Sequence, residues 1–180
     1  GSEWRTMLVT GMRLGGREYF GLDVTNPDGA VGPGSVTLPY PGFDDPSVTD
    51  GAYGWEFPPE GDPDGWMPKL GFSWGQAIIT RVKVSVDDDG KTHERWVAIV
   101  TAGYDESGDP DPDTITGRTS TYDANGTAGR GVFMLDMKTG KVLARKILDA
   151  AATDAQTSLR FATAMTPAVF DLDGDGFADL

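Results

Sequence analysis

The sequence predicts an all-β chain, part of a β-propeller built from antiparallel four-stranded blades and interrupted by long Gly/Pro/Asp-rich loops. Three observations predict it. Short runs of alternating apolar and polar residues are punctuated by glycine, asparagine and aspartate turns, which is the period of half-buried strands. A strand signature recurs, Arg17-x-x-Phe20-x-Leu22-Asp23 and Arg130-x-x-Phe133-x-Leu135-Asp136, each copy following a Trp-led apolar strand (from Trp4, from Trp96) that ends at a glycine, Gly11 and Gly103. Repetition of strand sets at blade length points to a propeller rather than a sandwich. Finally, the sequence closes on a run of aspartates, Asp171-Leu-Asp-Gly-Asp-Gly-Phe-Ala-Asp179, entered from a strand-like segment.

Taken in order, Trp4 to Thr10 is strand-like and ends at Gly11. Gly15-Gly16 punctuates, and Arg17 to Val24 alternates again before the Asn26-Pro27-Asp28-Gly29 turn, so the two runs form a hairpin. From Asp28 to Lys69 the composition shifts to Gly, Pro and Asp with scattered aromatics, which predicts a functional or wrapped insertion in which only Ser35-Val-Thr-Leu38 suggests a strand. Regular structure resumes from Gly75 to Val86, turns at Asp87-Asp-Asp-Gly90, and returns as the apolar strand Trp96 to Val100. Asp105 to Asn125 is a second acidic loop. Gly131 to Met137 is a strand turned by Lys138-Thr-Gly140 into Lys141 to Ile147, and Leu148 to Phe161 is the one stretch that admits a short helix. Thr166-Pro-Ala-Val-Phe170 reads as a strand with proline near its start.

These elements divide one propeller domain as follows: 4–25 the end of one blade, 28–74 an insertion loop, 75–149 a complete blade, and 165–180 the start of the next blade with the aspartate loop. A propeller needs at least four blades to close, so the chain is expected to be a piece of a longer domain, and Gly1-Ser2 is read as an expression scar.

The aspartate loop is the sharpest chemical feature. Carboxylates at positions 1, 3, 5 and 9 with a glycine at 6 are what an oxygen-liganded calcium loop requires, and the carbonyl at position 7 supplies a further oxygen. Asp171, Asp173, Asp175 and Asp179, with the Phe177 carbonyl, are therefore the expected ligands of Ca2+. Carboxylates held a few ångströms apart repel by roughly 4 kcal/mol per close pair at an effective dielectric near 20, so folding them together calls for a cation. Calcium tolerates this set better than magnesium, which demands a stricter octahedron. An EF-hand loop would follow a helix, whereas this one follows a strand. The bland alternative is a solvated Asp-Gly turn.

The net charge of −13, from 28 acidic and 15 basic residues, argues against a nucleic-acid partner. Much of the acidity sits in Asp-Gly-Pro loops, where solvated loops that aid solubility are expected in preference to an acidic docking surface. The chain has no cysteine, which removes disulfides, thiolate nucleophiles and cysteine-based metal sites. No apolar run approaches the ~18 residues of a membrane span, so no transmembrane segment is expected.

No enzyme is expected. His93, the only histidine, lies in the polar Gly90-Lys-Thr-His-Glu-Arg95 turn, a poor setting for the oriented base of a Ser-His-Asp triad. A glycosidase needs two facing carboxylates, and with so many aspartates some pair will satisfy that by chance. Trp4 and Trp96 are expected in core or inter-blade packing. Trp55, Trp66 and Trp74 lie in or beside the insertion, where they form either an exposed platform for sugar or protein ligands or inward plugs.

Several segments together resemble the C-terminal propeller of the PilC/PilY family of type IV pilus tip-associated adhesins and biogenesis factors. They are Trp4-Arg-Thr-Met-Leu-Val-Thr-Gly11, Gly15-Gly-Arg-Glu-Tyr-Phe-Gly-Leu-Asp-Val-Thr-Asn-Pro27, Leu70-Gly-Phe-Ser-Trp-Gly75, Val100-Thr-Ala-Gly-Tyr104, Leu135-Asp-Met-Lys-Thr-Gly-Lys-Val-Leu143 and the aspartate loop. The resemblance implies a modified quinoprotein-like propeller with a structural and regulatory calcium site whose occupancy is linked to pilus extension and retraction, twitching motility and surface attachment. It also implies minor pilins and a host or abiotic surface as partners, alongside the remainder of the parent propeller. The location it implies is extracellular, at the pilus tip or outer membrane. The alternatives are a structural calcium-stapled secreted propeller, or part of a quinone-cofactor-dependent dehydrogenase, which would bind its cofactor on the axis of a complete propeller. There is no Arg-Gly-Asp tripeptide to suggest integrin binding.

Overall fold

The computed structural model describes residues 5–24, 54–85, 92–104, 128–147, 159 and 162–179. Within them the chain is all-β, with two antiparallel sheets of three and four strands and a single 3-10 turn at Met67–Lys69. Among the described residues no helix is long and apolar enough to cross a membrane. Trp4, the Ser35 to Leu38 segment, the 87–90 turn, the 105–125 loop and all but Leu159 of the suggested 148–161 helix lie outside the described residues.

The first sheet has the order β1 (Met7–Gly11), β2 (Tyr19–Asp23) and β3 (Gly54–Phe57). β1 and β2 are the expected hairpin, with Met7 opposite Asp23 and Gly11 opposite Tyr19. β3 corrects the sequence reading, in which Ser35 to Leu38 is the one strand suggested within the 28–74 insertion. Only four residues long, β3 gives period 2 too few turns to register, yet Trp55 and Phe57 alternate inward and pair it with β2.

The second sheet runs β4 (Ile78–Ser85), β5 (Thr92–Thr101), β6 (Gly131–Asp136) and β7 (Val142–Ile147), each strand bonded to the next in sequence. All four fall inside the 75–149 unit expected from the sequence. β6 turns into β7 through Asp136, whose Oδ1 accepts hydrogen bonds from the Lys138 and Thr139 amides and the Thr139 hydroxyl. That local side-chain turn explains why Asp-Met-Lys-Thr-Gly sits between two strands.

The main core lies between the two sheets. Tyr19, Trp55 and Phe57 of the first pack onto Ala98, Val100, Phe133 and Leu135 of the second, with Leu70 and Met137 completing the cluster. Phe57 and Phe133 meet at 5.0 Å between ring centroids, tilted by 58°. Two buried hydrogen bonds cross the interface: the Tyr19 hydroxyl donates to the Thr101 carbonyl at 3.0 Å, and Trp55 Nε1 donates to the Met137 carbonyl at 2.9 Å. Each gives an amphipathic ring its required polar partner. The Trp55 indole also lies across Gly21, directly opposite it on β2, where a Cβ would stand 2.1 Å from the ring.

The segment around Ser73 ties the sheets together from one end. The Met12 amide donates to Ser73 Oγ at 2.7 Å, and Phe72 bridges to Tyr104. Both glycines of the recurring signature are met by this segment: a Cβ on Gly11 would lie 2.6 Å from the Ser73 carbonyl, and one on Gly103 2.2 Å from that of Phe72. The repeat thus records a close backbone approach.

A second cluster, Val82, Val97, Ile99 and Met134, occupies the opposite face of the four-stranded sheet and is covered by Val169 and Ala178. The expected Thr166 to Phe170 strand does not form among the described residues. Pro167 has no N–H to donate, and only Phe170 pairs, in an isolated bridge to Asp179. Trp96 is another correction. It is 54% exposed instead of core, stacked under the Arg81 guanidinium at 5.8 Å, because the register pairs it with Arg81 on a part of the sheet that the first sheet does not cover.

Candidate metal centre

The aspartate loop folds around its first residue. Asp171 Oδ1 accepts from the amides of Gly174 at 2.7 Å and Asp175 at 3.1 Å, and its Oδ2 accepts from Gly176 at 2.8 Å. Asp173 accepts from the Asp175 amide. Three amides on one carboxylate curl the chain tightly, and Gly174 and Gly176 take the left-handed conformation (φ +76° and +86°) that this curl needs. The loop closes where Asp179 N–H donates to the Phe170 carbonyl at 3.0 Å and Asp179 Oδ2 accepts from the Leu172 amide at 2.6 Å.

This closure brings Asp171, Asp173 and Asp179 together, with one carboxylate oxygen of each within 4.8 Å of the others. Oxygens at 2.3–2.6 Å from a common calcium ion span at most about 5 Å, so the three fit one ion. The donor set is hard oxygen throughout and exposed to solvent, which suits a hydrated alkaline-earth cation and not a soft metal.

Asp175, the fourth expected ligand, lies outside this group of three. Its Oδ2 accepts from Lys83 Nζ on β4, and its Oδ1 accepts from the Phe177 amide. The Lys83 hydrogen bond, then that of the Phe177 amide, holds the Asp175 carboxyl below its ordinary value; the same contact raises the Lys83 ammonium. The Phe177 ring is packed beneath both cations of β4, at 4.3 Å from Lys83 Nζ and 4.9 Å from the Arg81 guanidinium. Arg81 further donates to the Gly176 carbonyl, and its own carbonyl accepts the Ala178 amide at 2.8 Å. The loop is therefore seated against β4, an edge strand of the sheet among the described residues. Sequence reading missed Arg81 and Lys83. The signal was two like charges at alternate positions between the valines of β4, an arrangement that only becomes meaningful once β4 is known to be an edge.

The candidate aromatic platform does not assemble as a unit. Trp55 is 4% exposed and belongs to the core, held by its bond to Met137 and by Gly21 beneath it. Trp66 is half-buried, edge-on to Phe133 at 5.8 Å and covered by the Arg145 guanidinium at 4.5 Å. Only Trp74 is well exposed, at 45%, with Arg13 over its ring. The physical reason is that β3 carries Trp55 into the sheet interface instead of leaving it in a loop. His93 is placed on β5 opposite Val84.

Comparison with protein-family models, curated proteins and solved structures finds no match to this chain.

Proposed function

We propose that this chain is a calcium-binding segment of a β-propeller from a type IV pilus-associated surface adhesin, acting without enzymatic chemistry. The observation that carries the proposal is the convergence of Asp171, Asp173 and Asp179 on one potential cation position. The four-stranded antiparallel meander, each strand bonded to its sequence neighbour, supports the propeller reading because it is the topology of a blade. The three-stranded sheet packs on one face of it and Val169 and Ala178 on the other, which supports the reading because a blade is covered on both faces by its neighbours.

In this reading calcium clamps the loop between strands, with the Phe177 carbonyl and Asp175 completing the shell. The clamp would serve pilus extension and retraction, twitching motility and attachment to a host or abiotic surface, with minor pilins as partners at the pilus tip or outer membrane. Calorimetric titration of calcium into the chelator-treated chain, with magnesium as control, tests it. A calcium-selective transition that disappears in Asp171→Ala is the expected result, and absence of any transition in the wild type would sink the calcium assignment. Loss of twitching and attachment when the same substitution is placed in the intact protein tests the adhesin role.

A structural role for calcium in a secreted propeller of another ligand is the second reading. The burial of Trp55 favours it, because it removes a member of the aromatic platform a surface ligand would use.

A further inference from the structure

We infer that Lys83 is an internal counter-cation that occupies the Asp175 carboxylate, so that the loop takes up a divalent cation fully only by displacing the Lys83 ammonium. The inference rests on the calcium reading above and adds the residue that sets its affinity.

The geometry separates the two basic residues of β4. Arg81 grips the loop backbone, through its guanidinium on the Gly176 carbonyl and its carbonyl on the Ala178 amide, and touches none of the metal-facing carboxylates. Of the two, it is Lys83 that engages a carboxylate of the loop, Asp175. The four aspartates thus divide into three that face a common point and one already neutralised by a protein cation. An ammonium is a compact charge on a flexible stem, well suited to a reversible contact. The Lys83 side chain is 43% exposed and so is free to leave. It also has somewhere to go, since Glu94 stands opposite it on β5.

Two consequences follow from competition for one carboxylate. Without a divalent cation, Lys83 offsets part of the repulsion in the loop and keeps it seated on β4 through Asp175 and the Phe177 ring. With one, Asp175 is released to join the shell as the Lys83 charge moves off. Removing Lys83 should therefore loosen the cation-free loop and tighten cation binding, opposite effects that a merely structural lysine would not give. A residue that only buttressed the loop would weaken both states when removed.

The test is calcium titration of chelator-treated wild type, Lys83→Met, Asp175→Asn and the double variant, with amide hydrogen exchange over 171–179 in the absence of calcium. Methionine keeps the stem over Phe177 without the charge. Lys83→Met is expected to bind calcium about two- to fivefold more tightly, the range of an exposed ion pair, and to exchange the loop amides faster when calcium is absent. In the Asp175→Asn background the same change should leave affinity unaltered. Wild-type binding with Lys83→Met equal or weaker overturns the role of Lys83 and leaves the calcium reading intact. Binding by Lys83→Met alone supports it in its strongest form. No binding by either sinks the calcium reading and this inference with it.

Discussion

Arg5 donates to Asp23 at 2.7 Å beside the first hairpin, and Arg95 stands in the same relation to Asp136 at 3.1 Å in the second sheet. The registers make the pairs equivalent: Met7 faces Asp23 as Val97 faces Asp136, and each arginine lies two residues before. The sequence signature is thus also a repeat of ion pairing. It is offset from the tryptophans that first reveal it, since Trp96 corresponds by register to Thr6 and not to Trp4. Both aspartate side chains are nearly buried, at 5% and 9% exposure, where losing a partner is costly.

Asp136→Ala should destabilise the chain by about 2–3 kcal/mol, because it removes the nearly buried carboxylate that accepts from Arg95 and from the Lys138 and Thr139 amides. Asp136→Asn retains an acceptor for the turn and should recover about half of the loss. Urea midpoints of the three proteins decide this, and an alanine variant as stable as wild type would contradict it.

Gly21→Ala should be more damaging than an ordinary strand substitution, since the new methyl would occupy the space of the Trp55 indole. Overpacking of this kind destabilises by about 1–3 kcal/mol, and the displaced indole would lose its bond to the Met137 carbonyl. A red-shifted tryptophan emission in the folded variant, together with a lowered melting temperature, is the expected signature.

Burial pushes the Tyr19 phenol above its ordinary value. Folding therefore favours the neutral form, whose contribution is complete below about pH 10 and is lost as pH rises through the raised folded value. Tyr19→Phe should be about 1 kcal/mol less stable than wild type at pH 7, through loss of the bond to Thr101. That gap should narrow above about pH 10. Urea melts across pH 7 to 11 check it, and a gap that stays constant with pH would count against a buried phenol.

Chelation should lower the melting temperature of the wild type, and calcium at about 100-fold above its dissociation constant should restore about 2.7 kcal/mol. Asp171→Ala should melt alike with and without calcium, because it removes both a proposed ligand and the acceptor that curls the loop.

Much of the fold was legible where strands are long and their turns local. β1, β2 and β4 to β7 each combine alternation with a nearby glycine or aspartate turn, and the Asp136 turn is encoded within five residues. β3 was hidden because Gly54-Trp-Glu-Phe57 is short and its partner lies across a long loop. The burial of Trp55 depends on Gly21 and Gly140, which no local pattern connects to it. In the aspartate loop, spacing alone sufficed to bring Asp171, Asp173 and Asp179 together, since their geometry is set by backbone bonds within the loop. The position of Asp175 is set from outside by Lys83, so spacing could not reveal it.

The two hydrogen bonds that join the sheets, Tyr19 to Thr101 and Trp55 to Met137, each link residues 82 positions apart. Each sheet can be assembled from neighbouring strands, but the contacts that fasten one to the other become available only after most of the chain is in place. Non-local pairing of this kind slows folding, because closure entropy is spent before the contacts compensate it. The sheets should accordingly acquire hydrogen-exchange protection early and as separate units. Burial of Trp55, read by its fluorescence, should then mark the last and slowest phase of refolding.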